Sequence, residues 1–237
     1  MQSEVAQLPV GHRLYAWLET NKKQVVWGGG IVAGLLVIIL LINWNKNQQE
    51  LKASEALSDV STVQFGNPGA KPDAEAYLKV AANYPKSSAG TRALLLAAGN
   101  LFVEGKFPEA KTQFERFTRE YHDSPFMGQA LLGIAASWDA QGKTNEAVAA
   151  YKNLLDHHPG ESVIPQAKFA LARLYEAQGK LEQARIYFEE LNRTEPYGSL
   201  GSEAGMRLEE LMSKNPGLVP KPVTAATNAI PLAVPKP

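Results

Sequence analysis

Two clusters of titratable residues are the first candidates for chemistry in this sequence. Asp156, His157 and His158 are consecutive, and these residue types occur in metal sites and as general bases. Consecutive residues on a helix point about 100° apart, so the three side chains cannot converge on one ion. Glu189 and Glu190 are also adjacent, without the opposed arrangement that paired acid and base catalysis needs. We interpret both clusters as solvated helix surface and expect no enzymatic activity, no metal and no cofactor.

The composition of the chain excludes further classes of function. Lysine plus arginine total 24 and aspartate plus glutamate total 24, so no polybasic surface exists for a nucleic acid. The sequence has no cysteine, which rules out a disulfide framework, a thiolate zinc site and a cysteine nucleophile. No strand pattern precedes a glycine-rich phosphate-binding loop. We therefore expect protein partners, and neither a nucleic acid nor a small-molecule substrate.

One segment is apolar enough to cross a membrane. Residues 25–42 read VVWGGGIVAGLLVIILLI, a run of 18 uncharged residues. As a helix this run rises about 27 Å, close to the thickness of the hydrocarbon core. Residues 43–46 offer no small-residue cleavage site, so we predict a retained transmembrane helix. Gly30 and Gly34 lie on one face of this helix and form a candidate packing site for a second membrane helix.

The basic residues beside this segment predict its orientation. Lys22 and Lys23 adjoin its N-terminal end, whereas Lys46 and Lys52 are the only basic residues close to the other end. Lysine and arginine favour the cytoplasmic side. We therefore predict a cytoplasmic segment over residues 1–24 and, in a bacterial inner membrane, a periplasmic location for the rest of the chain.

The remaining sequence is dominated by a repeat of 37 residues. Alanines, aromatic residues, branched or aromatic core residues, glycines and prolines each recur at this spacing. The main periodic positions are Ala56, Ala93, Ala130, Ala167 and Ala204; Tyr77, Phe114, Tyr151 and Phe188; Val80, Phe117, Leu154 and Leu191; Gly105, Gly142 and Gly179; Ala110, Ala147 and Ala184; and Pro85, Pro159 and Pro196. Apolar residues within each unit follow helical spacing, and the glycine predicts a tight turn between two helices.

These patterns together predict an all-α protein. An N-terminal transmembrane helix precedes a solenoid of helical hairpins over residues 50–213, in which the first unit is degenerate and acts as a cap. Residues 214–237 are rich in proline and predict a disordered tail.

The repeated residues resemble the tetratricopeptide repeat. The matching positions are Ala135, Trp138, Gly142, Ala147, Tyr151, Leu154 and Pro159 in one unit, Ala172, Tyr175, Gly179, Ala184, Phe188, Leu191 and Pro196 in the next, and Ala98, Leu101, Gly105, Ala110, Phe114 and Phe117 in the unit before them. Each unit is three residues longer than the 34 usual in the family, and the added residues fall between hairpins. The resemblance implies a helical solenoid that binds proteins.

The chain resembles YfgM-type proteins, ancillary subunits of the SecYEG translocon, in its order of segments: a short cytoplasmic segment, one membrane helix and then such repeats. The stretch over residues 74–102, AEAYLKVAANYPKSSAGTRALLLAAGNLF, carries this resemblance. It implies the SecYEG translocon and periplasmic chaperones as partners. Two alternatives stay open: an envelope-assembly or division-coordination scaffold that binds one fixed partner, and a subunit that braces a larger membrane complex.

The register of the repeats also predicts a binding surface. Stacked helix pairs form a superhelix whose concave side is lined by the first helix of each pair. The residues of these helices that point away from the second helix are Arg92, Leu95, Phe102, Gln129, Leu132, Asp139, Gln166, Phe169, Arg173 and Glu176. Apolar members would hold side chains of a bound segment, and the arginines its carboxylates or carbonyls. If the two phenylalanines pack against the next unit instead, they belong to the core.

Overall fold

The computed structural model describes residues 17–66 and 73–218. The tail predicted over residues 214–237 starts later than expected, because Lys214 ends the last helix and Pro216–Leu218 form a 3₁₀ turn. Its remainder beyond residue 218, residues 1–16 and residues 67–72 lie outside the described residues. The chain divides into two compact units, and the boundary falls between Ala97 and Ala98. We refer to them as unit 1 and unit 2.

The described part of the chain is all-helical, as the sequence predicts. Its helices are α1 (Lys22–Gly66), α2 (Ala74–Asn83), α3 (Ser88–Val103), α4 (Phe107–Glu120), α5 (Met127–Ala140), α6 (Thr144–His157), α7 (Ile164–Ala177), α8 (Leu181–Thr194) and α9 (Ser199–Lys214), followed by a short 3₁₀ turn at Pro216–Leu218. Within unit 2, from α4 to α9, each helix packs against the next one in sequence, and α9 also contacts α7. This nearest-neighbour packing is typical of a helical repeat solenoid.

Helix α1 contains both the apolar segment and the first helix of the repeat region. It is 45 residues long and has no break between them. Trp27 and Trp44, near the two ends of the apolar run, are 77% and 64% exposed. Among the described residues, one helix is long and apolar enough to cross a membrane, judged by length and composition. A Cβ atom added at Gly30 or Gly34 would meet no atom within 4 Å, so their role in helix packing stays a prediction.

Unit 1 is held together by contacts between α1 and the segments that follow it. Ala53 of α1 and Tyr77 of α2 are buried, and the Tyr77 hydroxyl lies 3.2 Å from Oγ of Ser61 on α1. The two carboxylate oxygens of Glu50 accept hydrogen bonds from the backbone amides of Ser88 and Ala89 at 2.8 and 3.0 Å. Glu50 therefore caps the N-terminus of α3 from a distant position in the sequence, where its negative charge is favourable.

The glycines at 37-residue spacing make the turns within the hairpins. Gly105, Gly142 and Gly179 have φ values of 77°, 70° and 70°, in the left-handed region that disfavours a side chain. After Gly142, the amide of Lys143 donates to the carbonyl of Trp138 at 3.0 Å, and the Gly142 amide donates to the carbonyl of Asp139 at 2.8 Å. This bonding pattern is a Schellman motif, which satisfies the last carbonyls of α5 and reverses the chain.

The turns between hairpins also repeat, and they contain the residues by which each unit exceeds 34. The amides of Ser87, Ser124, Glu161 and Gly198 donate to the carbonyls of Tyr84, Tyr121, His158 and Glu195, respectively, at 2.9–3.1 Å. All four donors are 37 residues apart. The longer period is therefore a regular four-residue turn and not a set of unrelated insertions.

The core is formed by the aromatic and branched repeat positions and by the repeated alanines from Ala93 onward, whereas Ala56 is half-buried and the repeated prolines are exposed. The aromatic residues at one repeat position are all buried, between 0% and 6% exposed: Tyr77, Phe114, Tyr151 and Phe188. Ala110, Ala147 and Ala184 are fully buried, as small residues must be where two helices approach closely. Gly133 shows the same requirement, because a Cβ atom there would lie 2.5 Å from the ring of Phe114.

Candidate functional site

The predicted groove residues occupy four repeat positions on the first helices of the hairpins. One position holds Leu95, Leu132 and Phe169, and the same spacing continues to Met206 on α9. A second holds Arg92, Gln129 and Gln166; a third holds Phe102, Asp139 and Glu176; and Arg173 belongs to a fourth. Arg92 and Leu95 belong to unit 1, and the other members belong to unit 2.

In unit 1, Arg92 and Leu95 lie on the first part of α3. Arg92 is exposed and lines a cleft of about 240 Å³ with Glu50 and Leu57 of α1. Leu95 is half-buried. Arg92 therefore faces α1, and its place in a partner-binding groove stays a prediction.

In unit 2, the polar members of the set are accessible. Gln129, Gln166 and Arg173 are exposed, and Asp139 and Glu176 are half-buried. Leu132 is half-buried and packs partly against the core of unit 2. Phe102 is half-buried, with its ring centroid 5.1 Å from that of Phe107 in an edge-to-face contact across the hairpin turn. Leu132 and Phe102 thus each offer only part of their surface to a partner.

The prediction that Phe169 is accessible in the groove is corrected by its burial. Its side chain is 8% exposed and belongs to the core of unit 2, where its ring meets that of Phe188 edge-to-face at 5.8 Å. The ring is long enough to reach α8, the second helix of its own hairpin, so its apolar surface is already covered. Phe169 is a core residue and presents little to a partner.

Met206 is the exposed apolar residue that the sequence analysis missed. It lies 37 residues after Phe169 on α9 and is 65% exposed. The spacing that selects Leu132 also selects Met206, so the repeat itself contains the signal. A flexible thioether side chain at an exposed position suits contact with partners of varied shape.

Asp139 of α5 and Arg173 of α7 lie near enough to Tyr151 of α6 for their charges to act on its hydroxyl, and we call these three residues the polar cluster. Burial raises the pKa of the Tyr151 hydroxyl well above its ordinary value, the negative charge of Asp139 raises it further, and the positive charge of Arg173 opposes the shift. The hydroxyl therefore stays protonated at physiological pH and can both donate and accept a hydrogen bond. In this cluster Asp139 and Arg173 present an acceptor and a cation to a partner, whereas Tyr151, 3% exposed, lies in the core beneath them.

The histidine cluster shows ordinary helix-end contacts. Nδ1 of His157 lies 3.1 Å from the backbone carbonyl of Asn153, and the amide of His158 donates to the carbonyl of Leu154. Within residues 17–66 and 73–218, no group of three histidine, cysteine, aspartate or glutamate residues is arranged to hold a metal ion.

Comparison with known proteins identifies the repeated hairpins. One family model for the tetratricopeptide repeat matches residues 95–152, and a second matches residues 140–196. Residues 95–196 therefore match the tetratricopeptide repeat. The tetratricopeptide repeat is a protein-interaction scaffold and is typically non-enzymatic, so the matches indicate a protein-binding scaffold over these residues.

Solved structures similar to this chain include two of TPR-like repeats and one of a further protein. A singly substituted form of the nearly identical TPR-like repeats of a Podosopora anserina protein, assigned as a kinesin light chain, has a TM-score of 0.50 and 16% identity, covering 72% of this chain and 86% of that chain. A second structure of those repeats has a TM-score of 0.49, with 16% identity over 72% and 87% of the two chains. BtubC (BKLC) from P. vanneervenii has a TM-score of 0.46, with 14% identity over 71% and 66%. No curated protein matches the chain. At such identities the first structure shows a shared fold alone.

Proposed function

We propose that this chain is a single-pass membrane protein whose tetratricopeptide repeats lie on the periplasmic side of an inner membrane and hold polypeptide segments there. In this proposal it acts as an ancillary subunit of the SecYEG translocon that passes emerging chains to periplasmic chaperones. The support is the order of elements: an exposed apolar helix preceded by Lys22 and Lys23, then a protein-binding scaffold joined to that helix without a break.

The observation that carries the binding proposal is the cluster of Asp139, Tyr151 and Arg173. An extended polypeptide has free amides and carbonyls along its length, and it carries carboxylates at intervals. Asp139 can accept from amides, and Arg173 can bind carbonyls or carboxylates, while the buried Tyr151 supports the helix that lies between them. Such contacts are made mainly with the backbone of the bound polypeptide and less with its side chains. They therefore suit a surface that holds many different sequences. Leu132 on α5 and Met206 on α9 offer further apolar surface on the first helices.

Weak contacts are sufficient for this role because the protein is tethered. A segment that emerges beside a membrane-anchored scaffold experiences an effective concentration on the order of millimolar. A millimolar dissociation constant corresponds to about 4 kcal/mol of binding free energy, which a few hydrogen bonds and two apolar contacts can supply.

Two other functions fit a subset of these features. A scaffold for envelope assembly or division coordination would use the same cluster to bind one fixed protein. A bracing subunit would act through its membrane helix, where Gly30 and Gly34 leave an open face, and would leave the cluster unoccupied.

Photocrosslinking in membranes tests the binding proposal. A photoactivatable residue at Gln129 or Gln166, both exposed on the helices that carry Asp139 and Arg173, should capture translocon subunits and nascent chains. Arg173→Glu should lower the yield about fivefold to tenfold, because it replaces a favourable charge contact by a repulsive one. Arg193→Glu, the same reversal at an exposed position on α8, should leave the yield unchanged.

Each pattern of crosslinks points to one function. Capture of one abundant envelope protein would support the fixed-partner scaffold. An absence of crosslinks from the repeats, with crosslinks from Gly30 or Gly34, would support the bracing subunit. Equal yields from Arg173→Glu and the unmodified chain would contradict the role given to the cluster.

The orientation has its own test. A reporter that is active only in the cytoplasm, fused after Pro237, should give no signal, because the positive charges at Lys22 and Lys23 hold the N-terminus in the cytoplasm. The same reporter fused before Met1 is the matched control and should be active. The reverse pattern at normal expression would show that the repeats face the cytoplasm.

A further inference from the structure

A pocket in unit 1 lies immediately beyond the apolar part of α1. It has a volume of about 490 Å³ and is formed by residues 45–50 of α1 and by the turn over residues 84–87 that leads into α3. The polar groups that line it include Asn45, Lys46, Tyr84, Lys86 and Ser87. The volume falls in the range of small-ligand sites.

The charged groups of the pocket that remain available to a ligand are positive. Glu50, the acidic residue in the lining, is engaged by two backbone amides at the N-terminus of α3, at 2.8 and 3.0 Å. Lys46 and Lys86 are exposed, and neither forms an ion pair with any residue in the described parts of the chain. Two unpaired ammonium groups beside hydroxyl and amide groups are suited to an anion such as a phosphate.

The position of the pocket along α1 places it at the membrane surface. Lys46 is four residues after Ile42, the last residue of the apolar run, which is about 6 Å along a helix. The headgroup layer extends about 5–7 Å beyond the hydrocarbon core on each side. Trp44, 64% exposed between them, is the residue type that favours this layer. Lys86 lines the same pocket as Lys46, so the turn over residues 84–87 lies at a similar depth.

We propose that this pocket binds the phosphate headgroup of an anionic lipid through Lys46 and Lys86. The inference rests on the proposed membrane anchor. The bound headgroup would hold the turn that begins α3 against the bilayer surface, so that α1 and this turn form two attachments of unit 1 to the membrane.

Lipid selectivity of the full chain in nanodiscs tests this site. The discs contain phosphatidylcholine with a minor fraction of phosphatidylglycerol, and native mass spectrometry counts the lipids that remain bound after the disc is released. The unmodified chain should retain phosphatidylglycerol preferentially. The double variant Lys46→Gln/Lys86→Gln should reduce that preference about tenfold or more, because each lysine near an anionic surface contributes roughly fivefold.

The matched control removes the same charge elsewhere in unit 1. Lys52→Gln/Lys79→Gln changes two exposed lysines outside the pocket and should keep the preference. Equal loss in the control would show a general charge effect and overturn the site, as would an unchanged preference in the pocket variant. Competition by millimolar inorganic phosphate, with no preference between lipids, would show a site for soluble phosphate and would also overturn it.

The failure of this inference and the failure of the anchor are distinguishable. Alkaline extraction of membranes should leave the unmodified chain and both double variants in the bilayer fraction. Release of the unmodified chain would contradict the membrane anchor and, with it, the lipid site. Retention in the bilayer without lipid selectivity would overturn the lipid site alone.

Discussion

Replacing Phe188 by alanine is expected to lower the free energy of unfolding of the repeats by about 3–5 kcal/mol. Phe188 is fully buried in the core of unit 2, and its ring meets that of Phe169. The truncation removes a large apolar side chain and leaves a cavity that the surrounding helices can fill only in part. Urea unfolding of the detergent-solubilised full chain, followed by circular dichroism, measures the change.

Tyr197→Ala is the matched control for this measurement. Tyr197 lies in the turn between α8 and α9 and is fully exposed, so removing its ring should change the stability by no more than about 0.5 kcal/mol. A loss under about 1 kcal/mol for Phe188→Ala would contradict the register of the repeats.

The second large effect separates two residues at the same repeat position. Phe169→Ser should destabilise unit 2 by about 3 kcal/mol or more, because it deletes a buried ring and places a hydroxyl among apolar neighbours. Met206→Ser, 37 residues later, should stay within about 0.5 kcal/mol of the unmodified chain, because Met206 is 65% exposed. Urea midpoints of the two variants give the comparison.

The same pair distinguishes core from partner surface. We expect Met206→Ser to weaken crosslinking to partners in a folded protein, whereas Phe169→Ser should affect partners only by unfolding. If Phe169→Ser leaves the urea midpoint unchanged, the ring is not part of the core. If both variants are stable and both keep their crosslinks, neither residue belongs to a binding surface.

The periodic part of the fold could be predicted from the sequence because each repeated residue type has one structural use. Glycine at Gly105, Gly142 and Gly179 indicates a positive φ, and alanine at Ala110, Ala147 and Ala184 indicates close helix contact; both features are present. Repetition makes these weak local signals strong. The continuity of α1 was not predicted, because the apolar run and the first repeat helix differ in composition. Neither glycine nor proline occurs between them to mark a helix end, and the composition alone does not say whether they join.

The candidate site was less predictable because register gives the direction of a side chain but not its reach. Phe169 and Met206 share a position, yet the rigid ring finds a neighbour in Phe188 and the methionine remains exposed. Tyr151 is recognisable as a core residue from its spacing, and its burial confirms this. No sequence pattern indicates that the charges of Asp139 and Arg173 both act on its hydroxyl, since the three residues come from three different helices.

Because α1 runs without interruption from the apolar segment into unit 1, rotation about its axis is transmitted between the two. A continuous helix has high torsional stiffness, whereas a flexible linker would let the two ends turn independently. Each residue added between Lys46 and Glu50 would turn the unit 1 end of α1 by about 100° and raise it by about 1.5 Å. The number of residues in this helix therefore sets the direction around the helix axis in which unit 1 faces a neighbouring membrane protein.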